Sequence, residues 1–502
     1  MQYYIVLCNQ SKYIYDIHAL VSAFTPGYEV KVLTKDSVIR NREIQKASPS
    51  MELELNKDKM TCRFLASTKT IGEGWTKEDS LVSIRKENRI QIQNVEDHEY
   101  KNTLKLFVYD SLCKYHEKEL PWGDLTGIRP TKIPMTMMEE GKTKEEIETF
   151  LKDAHRVSDD KITLAIDIAK RESTILGKTH GVDGYSMYIG VAFCPTTCLY
   201  CSFPSNASFG KEKVLDQYLA CLEREIDDVA DQMSGRPCDS IYIGGGTPTT
   251  FSAEQLQKLM DKIKSKFNIR ELQEFTVEAG RPDSLNRAKL EVLKKAGVTR
   301  ISINPQTMKE ETLRLIGRAH TVQETRDAFA LAREVGFDNI NMDVILGLPG
   351  ETLEDVRYTL EEITKMEPDN LTVHCLAIKK GSRMQQYVAE KGLPVMEDMD
   401  QAVELAAEYA QKMGLVPYYL YRQKHMSGNF ENVGYAKPGK FGLYNILIME
   451  EIQDIIACGA GVISKHVYPS GRIERCENVK EVSEYLNRVE EMIQRKRTLW
   501  EQ

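Results

Sequence analysis

The chain has 502 residues, of which 41% are hydrophobic and 28% are charged. This composition is typical of a folded globular protein, and at roughly 100–200 residues per domain the length predicts two or three domains. The net charge of −8 provides no basic surface that would track phosphates, so we expect no nucleic-acid partner. No apolar run approaches the roughly 18 residues that cross a bilayer, and the N-terminal residues do not resemble a secretory signal. We therefore expect no membrane span and a cytoplasmic location.

The cysteines separate into one cluster and a set of isolated residues. Of 11 cysteines, only Cys194, Cys198 and Cys201 lie close together in sequence. Isolated cysteines are usually buried apolar residues. An odd total without a secretory signal argues against a disulfide framework and for a reducing compartment.

The first part of the chain predicts a small α+β module and then a helical segment. Residues 1–120 contain short β-rich runs (YYIVL, YEVKVLT, MELEL and RIQIQ) and one helical pattern at 99–118. Residues 121–180 have apolar residues at helical spacing almost throughout. We interpret this second stretch as a helical connector.

Residues 181–397 alternate short apolar strands with amphipathic helices. Six strands and five helices in this order predict parallel strands joined by right-handed crossovers. The predicted helices are 214–233, 253–266, 284–296, 310–315 and 352–366. The expected fold class is therefore α/β, a partial (β/α)6 barrel with an N-terminal α+β module and, at 398–502, a C-terminal helical extension that ends in a helix at 478–495. In such barrels the chemistry lies at the carboxyl ends of the strands.

The cysteine cluster follows the first predicted barrel strand, with the spacing CxxxCxxC. Three thiolates on one compact loop can bind three irons of a [4Fe–4S] cubane and leave the fourth iron open. An open iron can chelate the amino and carboxylate groups of S-adenosylmethionine (SAM), whose reductive cleavage gives a 5′-deoxyadenosyl radical. A zinc site and three inert buried thiols are the alternatives. Zinc sites normally use paired CxxC units with four ligands, and the nearest histidines in sequence are His180 and His320. The spacing resembles the general signature of radical SAM enzymes.

Other strand ends carry residues that suit a nucleoside ligand. The turn at Gly244–Thr247 lets a backbone approach a ligand closely, and we expect it to offer free N–H groups to a carboxylate. Glu278 and Asp343 suit an amino group or ribose hydroxyls, although helix capping or an ion pair would also explain them. Gln306 can donate and accept. Arg318 could bind a carboxylate or lie on the surface.

Several further side chains have a functional and a structural interpretation. His320, His374 and His425 could transfer protons, but a single histidine is more often structural. Tyr418, Tyr419 and Tyr421 could line a flat tetrapyrrole, although core packing also explains them.

The blocks around these residues resemble one family. Residues 188–203, YIGVAFCPTTCLYCSF, resemble the YxHxPFCxxxCxYCxF block of the oxygen-independent coproporphyrinogen III oxidases and their relatives. The blocks GGGTPT, VEAGRPD, SINPQT, LIGRAH and DVILGLPGET follow in that family's order, and the tail with ENVGYAKPG and ACGAGVIS resembles its C-terminal region. The N-terminal module with GDLTGIRPTK resembles the HemZ branch, described as coproporphyrinogen dehydrogenase.

The resemblance implies a set of site residues. Cys194, Cys198 and Cys201 correspond to the cluster ligands. Two SAM molecules would occupy the site, and the following residues match SAM-binding positions: Tyr188, Tyr200, Gly245, Gly246, Thr247, Glu278, Gln306, Arg318, Asp343, Ala377 and Ile463.

The implied reaction is oxidative decarboxylation of two propionates of coproporphyrinogen III to vinyl groups, which gives protoporphyrinogen IX in haem biosynthesis. The partners would be this tetrapyrrole and an electron donor such as a flavodoxin or ferredoxin. Arg422 and Lys424 are candidate cations for the substrate carboxylates.

The cysteine block also departs from the family pattern. Gly190 and Ala192 stand where the family usually has His and Pro. Phe203 stands where the oxidases often carry a fourth cysteine, and a phenylalanine there is typical of haem-chaperone relatives. A haem chaperone on the same scaffold and a different radical SAM reaction on a tetrapyrrole therefore remain alternative functions.

Overall fold

The computed structural model describes residues 2–34, 50–66, 83–92, 96–127, 129–203, 206–207, 212–379, 381–392, 394, 396–422 and 430–501. The chain forms two compact units. The first comprises Met1–Ile166, Tyr387–Val395 and Arg422–Glu431, and the second comprises Asp167–Gln386, Met396–Tyr421 and Asn432–Gln502. The four-part division at residues 120, 180 and 397 stays a prediction.

The first unit contains a five-stranded mixed sheet in the order β2-β1-β3-β4-β5. Its strands are β1 (Gln2–Cys8), β2 (Tyr28–Leu33), β3 (Met51–Leu55), β4 (Lys59–Ala66) and β5 (Ser83–Gln91). Its first helices are α1 (Ile14–Phe24) and α2 (Asp97–His116). Val6, Leu20, Leu53, Phe64 and Leu104 are buried in one core that joins the sheet to both helices. The sequence patterns predicted an α+β module here but did not indicate β4 or α1.

The predicted helical connector contains three helices. They are α3 (Lys132–Glu139), α4 (Lys144–His155) and α5 (Asp159–Leu176). Helix α4 begins with a capping box, in which Thr143 and Glu146 each bond the other's backbone N–H.

The second unit contains the predicted barrel strands within an eleven-stranded sheet. Its first strands are β6 (Tyr185–Val191), β7 (Phe193–Cys194), β8 (Asn206–Ala207), β9 (Cys238–Gly245), β10 (Glu274–Glu278), β11 (Arg300–Ser302), β12 (Ile340–Leu346) and β13 (Asn370–Cys375). Strands β6, β9, β10, β11, β12 and β13 are neighbours in that order and pair in parallel, whereas β7 and β8 pair separately. These six strands are mostly buried, as expected of a parallel sheet covered by helices. The α/β fold class with six parallel barrel strands is confirmed.

The barrel helices follow the predicted alternation. They are α6 (Glu212–Gln232), α7 (Ala253–Lys266), α8 (Arg287–Ala296), α9 (Glu310–Leu315), α10 (Val322–Val335) and α11 (Leu353–Met366). Helix α10 was not predicted. It lies between β11 and β12 and starts at a capping box formed by Thr321 and Glu324.

The C-terminal extension adds strands as well as helices. Helix α12 (Met384–Lys391) precedes it, within the region 181–397. The extension itself contains α13 (Met399–Lys412), β14 (Val416–Tyr421), β15 (Asn432–Ala436), α14 (Leu443–Glu450), β16 (Asp454–Cys458), β17 (Ile463–Val467), β18 (Ile473–Glu477) and α15 (Val482–Trp500). Strand β15 pairs antiparallel with β13, while β16 pairs in parallel with β6. The extension therefore continues the barrel sheet at both edges. Among the residues that the structure describes, no helix is long and apolar enough to cross a membrane.

Candidate functional site

The cysteine loop lies at the carboxyl end of the first barrel strand. Cys194 ends β7, Cys198 is buried, and Cys201 is partly exposed. Leu199 N donates to Ile316 O at 2.8 Å, and Thr196 Oγ1 donates to Gly317 O at 2.7 Å. These bonds fix the loop against the end of α9.

Burial opposes the ionisation of two of the three thiols, those of Cys194 and Cys201, and so raises their pKa values unless a cation is bound. Burial raises the pKa of Cys194 to about 11, and the nearby Cys198 and Cys201 raise it further, while a hydrogen bond from Thr247 lowers it. Thr247 Oγ1 lies 3.4 Å from Cys194 Sγ, and Arg281 Nη1 lies 3.9 Å from Cys198 Sγ. Such a site fits an iron–sulfur cluster, whose iron compensates the charge of the thiolates.

The described part of the chain offers no site for a single metal ion. No group of three His, Cys, Asp or Glu side chains there is placed to hold one metal ion. A cubane binds each cysteine through a different iron, so its ligands do not need to converge on one point.

The glycine turn packs directly against the strand that leads into the cysteine loop. Gly246 N donates to Val191 O, and Thr247 N donates to Phe193 O, each at 2.7 Å. A Cβ on Gly246 would lie 2.4 Å from Phe193 O, so only glycine allows this approach. The prediction that the turn offers free N–H groups is therefore wrong for Gly246 and Thr247, because both already bond the neighbouring strand.

Glu278 lies at the end of β10, beside this turn. A Cβ on Gly244 would lie 2.9 Å from Glu278 Cδ, and Tyr242 Oη donates to Glu278 Oε1 at 2.6 Å. Burial raises the pKa of Glu278 to about 7; the Tyr242 hydrogen bond lowers it, and the charge of Asp343 raises it. The carboxyl group can therefore gain or lose a proton near neutral pH, and a cationic ligand would favour its ionised form.

Three tyrosine rings stack inside the barrel below Glu278. The ring centroids of Tyr242 and Tyr444 are 4.5 Å apart, those of Tyr188 and Tyr444 are 5.8 Å apart, and those of Tyr188 and Tyr242 are 6.0 Å apart. Tyr444 belongs to α14, whose first N–H groups, those of Leu443 and Tyr444, donate to the Glu274 carboxylate. Sequence analysis identified Tyr188 but missed Tyr242 and Tyr444.

Gln306 and Arg318 present buried polar atoms that lack a partner in the described structure. Gln306 has φ of 67°, its N–H donates to Asp343 O at 2.9 Å, and its Oε1 atom is buried without a hydrogen bond. Arg318 Nη1 donates to Asn304 O at 2.5 Å, whereas its Nε is buried without a partner. Buried polar groups are normally hydrogen-bonded, so these atoms suit contacts with a polar ligand.

Asp343 belongs to a polar chain on neighbouring strands. Asn341 Nδ2 donates to Asp343 Oδ1 at 2.7 Å, and His374 Nε2 lies 3.8 Å from Asp343 Oδ2. Burial raises the pKa of Asp343, but the polar groups of His374, Asn341 and Thr372 beside it outweigh this and hold it below its ordinary value. His374 Nδ1 lies 3.1 Å from Tyr421 Oη, so this histidine is part of the chain.

The other SAM positions from the resemblance have different environments. Burial raises the pKa of Tyr200, and the charge of Arg318 opposes that rise, which places the two groups close together. Ala377 is buried just beyond β13. Ile463 is 42% exposed at the start of β17.

The remaining candidates give mixed results. Tyr418 and Tyr419 are buried in a hydrophobic cluster, which favours the core-packing interpretation. Arg422 is buried and donates to Leu125 O at 2.5 Å, and its assignment to the substrate carboxylates stays a prediction. His320 is buried with neither ring nitrogen hydrogen-bonded. Lys424 and His425 lie outside the described residues.

Comparisons with known proteins agree with this arrangement. Residues 188–363 match the Radical SAM superfamily. Over 396 residues the chain is 41% identical to the oxygen-independent coproporphyrinogen-III oxidase-like protein HemZ of Bacillus subtilis, covering 78% of this chain and 79% of HemZ. The chain belongs to the oxygen-independent coproporphyrinogen III oxidase-like family of radical SAM proteins.

Other members of the family have names that give them different functions. The heme chaperone HemW of B. subtilis is 33% identical over 307 residues, covering 61% of this chain and 76% of HemW. The solved structure of the coproporphyrinogen III oxidase HemN of Escherichia coli superposes with a TM-score of 0.51 at 23% identity, covering 64% of this chain and 72% of that chain. The superfamily implies a [4Fe–4S] cluster and SAM, and the family is related to coproporphyrinogen oxidation in haem metabolism.

Proposed function

We propose that this protein decarboxylates coproporphyrinogen III oxidatively and without oxygen, giving protoporphyrinogen IX. The observation that carries the proposal is the family's ordered set of blocks, whose cysteines, glycine turn and Glu278 lie at the carboxyl ends of adjoining parallel strands. Asp343 was predicted at such an end but lies in the middle of β12. The bound cluster and SAM supply a radical that abstracts hydrogen from the substrate. The chain's own part is to hold these groups and the tetrapyrrole and to exclude water from the radical.

In this proposal Cys194, Cys198 and Cys201 bind the cluster. Two SAM molecules lie against the SAM positions named from the sequence. Thr247 and Arg281 donate toward the cysteine sulfurs, and Glu278 in its ionised form accepts from a ligand's ammonium group. Arg318 Nε and Gln306 Oε1 meet polar groups of the ligand.

Anaerobic turnover tests the proposal. Reconstituted protein with SAM, dithionite and coproporphyrinogen III should release two molecules of carbon dioxide per tetrapyrrole and form protoporphyrinogen IX. The Cys198→Ala variant should form neither product. If the wild-type protein holds its cluster and cleaves SAM but leaves coproporphyrinogen III unchanged, the proposed substrate is wrong.

A haem chaperone is the second candidate to test, although Gly190, which stands where the family usually has histidine, argues against it. A Cβ on Gly190 would lie 2.4 Å from Val462 Cγ1, so a histidine at this position requires Val462 to move. Phe203 nevertheless follows the pattern of the chaperone relatives. Stoichiometric haem binding and transfer to an apoprotein, without decarboxylation, would favour this function. A product mass other than that of protoporphyrinogen IX would instead favour a different radical SAM reaction on a tetrapyrrole.

A further inference from the structure

An apolar and cationic surface borders the cysteine loop. We call it the cysteine-loop rim and define it by Phe203, Arg314, Leu315, Lys379 and Arg383. Phe203 is 58% exposed and Leu315 is 45% exposed, and both rank among the large hydrophobic side chains that the described structure leaves in solvent. Arg314 and Arg383 are exposed as well.

Direct contacts join this rim to the loop that carries the cysteines. Arg383 Nη1 donates to Thr197 O at 3.2 Å, and Lys379 Nζ lies 5.6 Å from the centre of the Phe203 ring. Leu315 precedes Ile316, whose carbonyl oxygen accepts from Leu199 N. The rim is therefore a surface directly adjoining the proposed cluster.

The charge of the rim is opposite to that of the chain as a whole. Lys379 and Arg383 form no salt bridge with any residue in the described ranges, and Arg314 has Glu311 at 4.0 Å. The nearby Glu310 is directed inward, where Oε1 accepts from Val322 N at 2.8 Å. A cationic surface on a chain of net charge −8 favours an acidic partner.

We infer that the cysteine-loop rim docks an acidic one-electron carrier protein that reduces the cluster. This inference rests on the proposed radical SAM function, because SAM cleavage requires an electron at the cysteine loop. Two exposed apolar side chains, Phe203 beside Lys379 and Leu315 next to Arg314 in sequence, match the small, weak interfaces of electron-transfer complexes. Opposite charges would speed the encounter, and salt would slow it. The electron passes from the reduced carrier to the oxidised cluster, and the carrier leaves oxidised by one electron.

Reduced flavodoxin, an acidic flavoprotein, is a suitable probe. In the Arg314→Glu/Arg383→Glu variant, the affinity for flavodoxin and the rate of cluster reduction by it should fall about 10-fold or more. Leu315→Ser should weaken binding without changing its salt dependence. The rate at which dithionite reduces the cluster should stay unchanged in each variant. Added salt should slow flavodoxin-driven reduction of the wild-type protein but hardly affect the charge-reversed variant.

A matched control is Arg270→Glu, which reverses an exposed charge before β10 and therefore at the opposite end of the barrel. This variant should bind flavodoxin, and be reduced by it, as the wild-type protein does. Unchanged flavodoxin binding in the double variant would overturn the inference, and so would an equal loss of reduction with dithionite. A raised KM for coproporphyrinogen III with normal reduction would instead assign the rim to substrate carboxylates, and preferential binding to anionic phospholipid vesicles would assign it to a membrane surface.

Failure of the inference and failure of the proposed function can be told apart. Binding of oxidised flavodoxin is measured on the protein with or without a cluster, so it does not depend on catalysis. A wild-type protein that binds no cluster contradicts the proposed function. A wild-type protein that reduces its cluster with dithionite, yet neither binds flavodoxin nor accepts its electrons, contradicts only the docking inference.

Discussion

Tyr242 Oη donates a 2.6 Å hydrogen bond to Glu278 Oε1, and this bond joins the tyrosine stack inside the barrel to the carboxyl group beside the glycine turn. Tyr242 stacks on Tyr444, which is contributed by the C-terminal extension. The extension therefore helps to fix the position of an acidic group that we propose contacts SAM.

Removing this hydrogen bond should shift the titration of Glu278. The Tyr242 hydroxyl lowers a pKa that burial has raised to about 7, so Tyr242→Phe should raise it further, by roughly one to two units, since a hydrogen bond to a charged group contributes about 1.5–3 kcal/mol. SAM affinity, measured by equilibrium dialysis from pH 6 to 9, should weaken as Glu278 becomes protonated. The midpoint should lie at higher pH in the variant. Glu278→Gln is the control and should remove this pH dependence; an unchanged midpoint in Tyr242→Phe would contradict the assignment.

The same group should affect stability in a defined direction. A carboxyl pKa raised in the folded state means that the folded protein binds the proton more tightly than the unfolded chain does. The contribution of Glu278 to stability should therefore decrease as pH rises from about 4.5 to about 7 and then stay constant. Urea unfolding of the ligand-free protein at several pH values should show that this decrease is absent in Glu278→Gln.

Gly246 should not tolerate a side chain. In Gly246→Ala the Cβ would lie 2.4 Å from Phe193 O and 2.7 Å from Val191 O, so the turn or the strand before Cys194 must move. We expect a loss of about 1–3 kcal/mol in the free energy of unfolding, together with lower iron content after reconstitution. Gly127→Ala is the control, because its Cβ meets nothing within 4 Å. Normal stability and iron content in Gly246→Ala would contradict this explanation.

A buried ion pair lies at the end of β16, beside Gly459. Lys496 and Glu225 are fully buried and bond each other, and Glu225 also accepts from Gly459 N at 2.7 Å. Burial lowers the pKa of Lys496, but the attraction of Glu225 outweighs this and keeps it above its ordinary value. Lys496→Met leaves a buried carboxylate without its cation, and we expect a loss of about 3–5 kcal/mol in urea unfolding.

The matched double variant separates charge from packing in this pair. Lys496→Met combined with Glu225→Gln removes the uncompensated charge, so it should recover part of the stability lost in Lys496→Met. If the two variants are equally destabilised, the loss comes from packing around Lys496 rather than from the charge of Glu225.

The sequence predicted the barrel because its signals are local. Each barrel strand is a short apolar run, and helices such as α7 and α9 have the predicted bounds, 253–266 and 310–315. The same alternation predicts Glu278 and Asp343 on barrel strands and Cys194 just beyond the first of them. The parallel pairing then follows from the order of the elements.

The sequence predicted less wherever distant segments meet. Strands β15 and β16 pair with β13 and β6, which are remote from them in sequence. A run such as VPYYLY has no alternation that distinguishes a strand from a buried helix turn. The contact between Tyr242 and Tyr444 joins β9 to α14, and no local pattern predicts it. The free N–H groups expected in the glycine turn are used by Val191 O and Phe193 O, a pairing that only the assembled sheet reveals.

We propose that Cys194, Cys198 and Cys201 hold a [4Fe–4S] cluster that binds SAM. The most direct measurement is electron paramagnetic resonance of the anaerobically reconstituted, dithionite-reduced protein, recorded before and after SAM is added. We predict a [4Fe–4S] signal that changes on addition of SAM and that is lost in Cys198→Ala but kept in Cys113→Ala. A signal that SAM leaves unchanged, or one that survives in Cys198→Ala, would contradict the account.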